Sequence, residues 1–382
     1  MNTVYFDHNS TTALHPQVLE AMLPFMTAQH GNPTSRHVFG RNAREAIELA
    51  RTQVAQCIGV QASQVVFTAS GTEANNFAIR GITGNLTPSQ LLVSSIEHPC
   101  VTRPALALQT GGWQVKTIKV DQHGQVDLEH LSQLLQQPTG LISVMLANNE
   151  TGSVQPLETI TAMAKQHKAY VHTDAVQALG KVDVDFNALG VHAMTLSSHK
   201  IGGPLGAGAL VLDKRVDIQP LLLGGGQEKG LRSGTENVAA IVGFGAACVI
   251  AQQQLVAYQG HTSQLRNQLE VGLHQLKATL FGANNLHRLP NTSFFAFPHI
   301  EGETLVTALD KARFAVASGS ACSSDSTEPS HVLLAMGIEE DLARGAVRVS
   351  LNMQNTAQQI EAFLTTLAQE VKRLKAMTAI AA

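Results

Sequence analysis

The chain has 382 residues, 44% hydrophobic and 14% charged, with a formal net charge of −3. That length suggests two or three domains with enough apolar material for a packed core, and it excludes a disordered chain. The charge leaves no basic footprint for nucleic acid and no electrostatic case for a membrane surface.

The N-terminus, Met1 to Asp7, lacks the basic and apolar regions of a signal peptide. The longest apolar run, Val238 to Ala251, is shorter than the roughly 20 residues that span a bilayer. A cytoplasmic location is expected. Short β-branched or apolar runs predict strands at Val65–Thr68, Leu91–Ser95, Leu141–Ala147, Tyr170–Thr173, Ala193–Ser197 and Ala207–Leu212. Helical patterns, such as Leu157 to His167, lie between several of them. Strands alternating with helices predict a mostly parallel sheet with right-handed crossovers, which binds ligands beyond the carboxyl ends of its strands.

The last third differs. Leu265, Leu269, Leu273, Leu276 and Leu280 form one helical stripe. Strand-like Thr292–Phe297 follows, then helical Glu303–Ala312, strand-like Ala315–Ser318 and Val347–Leu351. A last helix carries Ile360, Leu364, Leu367, Val371 and Leu374, with Asn355 or Thr356 as N-cap. We expect an α/β large domain over 16–257, with a mostly parallel mixed sheet flanked by helices. A smaller α+β domain should take 1–15 and 258–382.

Polar clusters follow the predicted strands. Lys200 stands in the turn Ser197-Ser198-His199-Lys200, ahead of Gly202 and Gly203. Burial there would favour a neutral amine, as Schiff-base chemistry requires, and the hydroxyls and imidazole around it could hold a phosphate. A surface lysine in a glycine turn is the bland alternative. Asp174 ends the strand before, a natural partner for a ring nitrogen, although an N-cap aspartate is the commoner use. Ser70-Gly71-Thr72 enters a helix and offers N–H groups to an anion, as any N-cap would. His98, fixed by Pro99, can titrate near neutral pH. Arg348 lies within Val347–Leu351, where it would grip a carboxylate or form a structural ion pair. The glycine-rich stretch Gly224 to Thr235 lacks the P-loop order and suits a backbone that bends closely around a ligand or partner.

None of the four cysteines is paired as CxxC, so neither a zinc ribbon nor a thioredoxin motif is supported, and no metal site is expected. Cys57 and Cys248 sit in apolar helical stretches and read as buried thiols. Cys322, among Gly319, Ser320, Ser323 and Ser324, reads as exposed and reactive.

The order of these motifs carries more than any one of them. Ser70–Asn76, Glu97–Pro99, Asn148–Gly152, His172–Gln177, Ser197–Lys200, Gly230–Thr235, Ser318–Ser324 and Val347–Leu351 together resemble the cysteine desulfurases of the NifS/IscS type. These are class V aminotransferase relatives with the pyridoxal-phosphate (PLP) fold type I. The resemblance runs from Phe6-Asp7 to Leu351, and Ser318–Ser324 followed by Glu328-Pro329-Ser330 is its most diagnostic part.

The resemblance implies that PLP is the cofactor, bonded covalently to Lys200. Asp174 would pair with the ring nitrogen, Gln177 would bond the ring hydroxyl, and His98 would stack on the ring and shuttle protons. Thr72, Ser197, His199 and the backbone at Gly71 would hold the phosphate. Thr235 would reach the phosphate of a partner subunit, which implies a homodimer. Asn149 and Arg348 would bind the carboxylate of L-cysteine, and Cys322 would accept its sulfur as a persulfide for a downstream acceptor protein, an iron–sulfur scaffold among the candidates. Departures are Asn352-Met353, where Gly-Arg is usual, and Lys229, where Arg is common. The alternatives are a selenocysteine lyase or related class V enzyme, against whose transaminase members Cys322 argues, and a non-catalytic PLP-fold scaffold, against which the retained catalytic set argues.

Overall fold

The computed structural model describes residues 3–319 and 328–381. Its strands, in chain order, are β1 Val4–Tyr5, β2 Val65–Thr68, β3 Gln90–Ser94, β4 Gln114–Ile118, β5 Thr139–Ser143, β6 Tyr170–Asp174, β7 Ala193–Ser197, β8 Gly208–Leu212, β9 Thr279–Phe281, β10 Thr292–Ala296, β11 Phe314–Ala315, β12 Ala317–Ser318 and β13 Val347–Ser350.

The large sheet has the order β2-β8-β7-β6-β5-β3-β4. Pairing is parallel from β4 through β7, and β8 runs antiparallel to both β7 and β2. The strand β2 therefore points the same way as β3, β5, β6 and β7, and all five deliver their carboxyl ends to one edge. Apolar side chains on both sheet faces explain the continuous hydrophobic runs. Val65, Phe67, Leu92, Ile142, Val171, Met194 and Leu196 pack on one face. Val66, Leu91, Val93, Leu141, Ala193 and Leu210 pack on the other.

The second sheet, β12-β13-β10-β9, is antiparallel, and it backs onto the helices Gly302–Lys311 and Ala357–Ala381 through Phe295, Phe297, Leu305, Leu309, Val349 and Phe363. The N-terminal segment belongs here too: β1 pairs with β11, and Asp7 bridges to Ser350. Thr356 caps the last helix, its Oγ1 accepting from the Gln359 N–H at 3.3 Å.

Two expectations need correction. The stripe from Leu265 to Leu280 is not one helix. Helix Val238–Gln275 ends before Leu276, Lys277 takes a positive φ of 60°, and Leu280 lies in β9. That helix is 38 residues long, so the apolar run from Val238 is only its first part. By length and composition it could cross a membrane, but Ala240, Ile241, Phe244 and Cys248 are buried in the core against the large sheet, and Leu265, Leu269 and Leu273 in the core against the second sheet. Finally, Cys57 is half-buried rather than buried, its Sγ 3.6 Å from the Cys248 carbonyl oxygen, whereas Cys248 is fully enclosed.

Candidate active site

The carboxyl edge of the large sheet opens onto a cavity of about 300 Å³. Its lining includes Gly71 and Thr72 after β2, His98 after β3, Asn149 after β5, Asp174 and Gln177 at and after β6, and Ser197, His199 and Lys200 at and after β7, with Arg348 reaching in from β13. Residues distant in sequence meet because parallel strands place every following turn on the same side.

Lys200 ends the short 3₁₀ turn Ser198–Lys200. Its Nζ donates to the carbonyl oxygens of Asn9 and Ser10, each at 2.6 Å. Asp174 is 7% exposed. Its Oδ1 accepts from the Val176 N–H at 2.9 Å and its Oδ2 from the Asn75 amide at 2.6 Å. Burial raises its carboxyl above the usual range, and those two hydrogen bonds, His98 and Lys200 oppose that rise. A buried carboxylate whose hydrogen-bond donors are both uncharged suits a positively charged partner, such as a protonated ring nitrogen.

His98 is the N-cap of helix Pro99–Ala107, with Nδ1 accepting from the Cys100 N–H at 3.2 Å. Burial holds its imidazole below the ordinary value, Asp174 pulling the other way. Gly71 opens helix Gly71–Gly84, where an added Cβ would lie 3.0 Å from Val176 Cγ2 and 3.3 Å from Ser197 Cβ. The bare backbone, the hydroxyls of Thr72 and Ser197 and the His199 ring form a polar cradle at a helix N-terminus, which fits a phosphate. Burial and then Lys200 lower the His199 pKa to about 4, so its imidazole is neutral, with Nδ1 3.1 Å from Thr11 Oγ1. The cavity thus offers an amine, an acid for a ring nitrogen and an anion cradle in one place, and these fit PLP.

Arg348 also carries the structural alternative. Its Nη2 donates to Asp7 Oδ1 at 2.7 Å and Ser10 Oγ at 2.8 Å, and its Nη1 to the Asn149 carbonyl at 3.0 Å. Its Nε is buried without a partner among the described residues. Gln177 donates to the Asn9 carbonyl at 2.8 Å and accepts from Lys181 Nζ at 2.6 Å. Thr235 is exposed and does not line this cavity. Cys322 lies outside the described residues.

Sequence reasoning missed Asn9, Asn75, Cys100 and Lys181. Asn9 is a hub of long-range contacts: its side chain bonds the Asn149 carbonyl, Thr292 and Lys181, and its carbonyl receives both Gln177 and Lys200. Lys181 is 3% exposed, and burial drives its amine well below the ordinary value, with Lys200 and Arg348 adding to the effect. Only the polarity of Asp7-His8-Asn9-Ser10 hinted at such a role, and polarity alone does not distinguish a hub from a loop.

The family model described as Aminotransferase class-V matches residues 4–363. Cysteine desulfurase IscS 1 of Archaeoglobus fulgidus is 41% identical over 376 residues, covering 98% of each chain. Among solved structures, a protein titled NifS-like superposes with a TM-score of 0.91 at 37% identity, over 97% of this chain and 99% of its own. Another, titled SspA in complex with cysteine, gives 0.81 at 31% identity, over 93% of this chain and 100% of its own.

Proposed function

This chain belongs to the class V aminotransferase family, and from that premise we propose how its residues perform the PLP-dependent desulfuration of L-cysteine to L-alanine. The observation that carries the reading is the meeting of Lys200, Asp174 and His98 around one cavity at the carboxyl edge of the sheet.

When bound, PLP holds the amine of the substrate covalently and withdraws electrons from its Cα. Lys200 would bond the cofactor, and its Nζ would take the Cα proton of the substrate. Asp174 would keep the ring nitrogen protonated. Thr72, Ser197, His199 and the Gly71 backbone would hold the phosphate, and Gln177 would bond the ring hydroxyl. His98 would stack on the ring and pass protons. Asn149 and Arg348, which both line the cavity, would hold the substrate carboxylate. The Cys322 thiolate would attack the substrate sulfur, so that an S–S bond forms as the Cβ–S bond breaks; the electron pair stays with the carbon fragment, which takes up protons and leaves as alanine, and a persulfide remains on Cys322. Purified protein given L-cysteine and a thiol reductant should form alanine and sulfide in equal amounts. Alanine without sulfide or persulfide would contradict the reading.

The acceptor of the persulfide sulfur is a further protein, with an iron–sulfur scaffold as one recipient, and the enzyme works in the cytoplasm. It does so as a homodimer in which Thr235 reaches the partner's phosphate. Supporting this, Leu222 bridges to Arg232, so Leu223, 85% exposed, lies beside the loop that carries Thr235. An apolar side chain next to a phosphate-binding hydroxyl suits a covered surface. Leu223→Asp should shift the sedimenting species from dimer toward monomer and weaken PLP retention together. A wild-type chain that sediments as a monomer with full cofactor would refute the shared site.

A further inference from the structure

Asn75 and Cys100 connect two groups that the mechanism treats separately. Asn75 is fully buried on helix Gly71–Gly84. Its Nδ2 donates to Asp174 Oδ2 at 2.6 Å and to Cys100 Sγ at 3.0 Å. Cys100 Sγ in turn lies 2.9 Å from His98 Nδ1, which also accepts the Cys100 backbone N–H at 3.2 Å. Asp174, Asn75, Cys100 and His98 thus form one chain of hydrogen bonds along the cavity.

The directions of these bonds are fixed. An ionised Asp174 can only accept, so Asn75 must turn its NH₂ toward it. The backbone N–H of Cys100 can only donate, so His98 Nδ1 must be an acceptor. A proton on Nδ1 would face that N–H head-on. With Sγ already accepting from Asn75, the thiol hydrogen has Nδ1 as its acceptor. Burial, with Asp174 adding to it, pushes the Cys100 thiol up to about 12, so it keeps that hydrogen at neutral pH. Asn75 Oδ1, buried without a partner among the described residues, is left as an acceptor at the cavity wall.

We infer that Asn75 and Cys100 are positioning residues that fix the proton of neutral His98 on Nε2, so that His98 meets the substrate as a donor and passes its proton from that atom. The inference deepens the desulfurase reading and rests on it for its consequence. His98 Nε2–H stabilises a sulfur anion, and Lys200 Nζ is the base. The charged or titratable groups around the ring include Asp174, Lys200, His331 and Arg103, with the Cys100 thiol on Nδ1.

The test is ¹⁵N-edited NMR of histidine-labelled holoenzyme at neutral pH. The His98 signals should show a protonated Nε2 and a bare Nδ1. Cys100→Ala removes one of two donors and should lower the Nε2–H to Nδ1–H ratio about fivefold, the worth of a hydrogen bond. Cys100→Ser should restore it. A protonated Nδ1 in the wild type, or an unchanged ratio in Cys100→Ala, overturns the inference. If Cys100→Ala does not fold, the wild-type and Cys100→Ser spectra decide alone. Because the readout is a tautomer, it can fail while sulfide production stands, and the reverse.

Discussion

Lys200→Ala should yield a colourless protein that carries no covalent cofactor and turns over L-cysteine at a rate lower by about 10²–10⁴-fold, the usual worth of a positioned proton acceptor. Two carbonyl oxygens, those of Asn9 and Ser10, hold the Lys200 amine at 2.6 Å in the cavity. They fix its position at the cavity wall. The phosphate cradle and Asp174 are untouched by the substitution, so PLP should still bind, loosely and reversibly. Borohydride reduction followed by mass spectrometry of the denatured chain separates the outcomes: the wild type gains the mass of reduced cofactor on Lys200, and the variant gains none. The buried Lys181 makes this a sharp test. It is a second amine nearby, held well below its ordinary value by burial, with its Nζ donating to Asn9 Oδ1 at 2.8 Å and Gln177 Oε1 at 2.6 Å. A reducible adduct on Lys181 in the variant, or on any residue but Lys200 in the wild type, would remove Lys200 from the centre of the mechanism.

The legible parts of the fold are those where local pattern and tertiary environment agree. Strands β2, β5, β6, β7 and β8 are buried on both faces, and their apolar runs announce them. Strand β4, Gln114–Ile118, was missed because it lies at the sheet edge, where only Ile118 is buried. The stripe through Leu276 and Leu280 misled because leucine spacing continues past a chain reversal that no glycine or proline marks. In the site, residues placed just after strands were recognisable: Thr72, His98, Asp174 and Lys200 each follow or end one. Asn9 was not, since its partners Gln177, Lys181 and Thr292 are far along the chain. Nor was Cys100, whose relation to His98 comes from an N-cap geometry that composition does not reveal. The ion pair between Arg348 and Asp7 shows that an inward arginine can be held structurally and still line a binding cavity.

Cys322→Ala should retain the cofactor and its colour yet release sulfide at a rate lower on the order of 10³-fold or more, as expected when a covalent nucleophile is removed. The described residues on either side of the Cys322 segment converge near the site. Strand β12 pairs Ala317 with Arg348, and the Gly319 N–H donates to the Ala346 carbonyl at 3.0 Å. On the far side Ser330 caps the next helix and donates to Glu150 Oε2 at 2.5 Å, one residue beyond Asn149. Both anchors therefore adjoin the residues proposed to hold the substrate carboxylate. The competing thiol is Cys100, which already lines the cavity. Proximity favours Cys100, but reactivity does not: with its thiol pushed up to about 12, its thiolate is far scarcer at neutral pH than that of an ordinary cysteine near 8.5. Cys57 and Cys248 face each other away from this cavity. Measuring sulfide release and intact-mass persulfide in Cys322→Ala and Cys100→Ala side by side decides between the two. Loss of persulfide in the first with its survival in the second assigns the acceptor to Cys322; the opposite pattern would move sulfur transfer inside the cavity and make His98 its immediate neighbour.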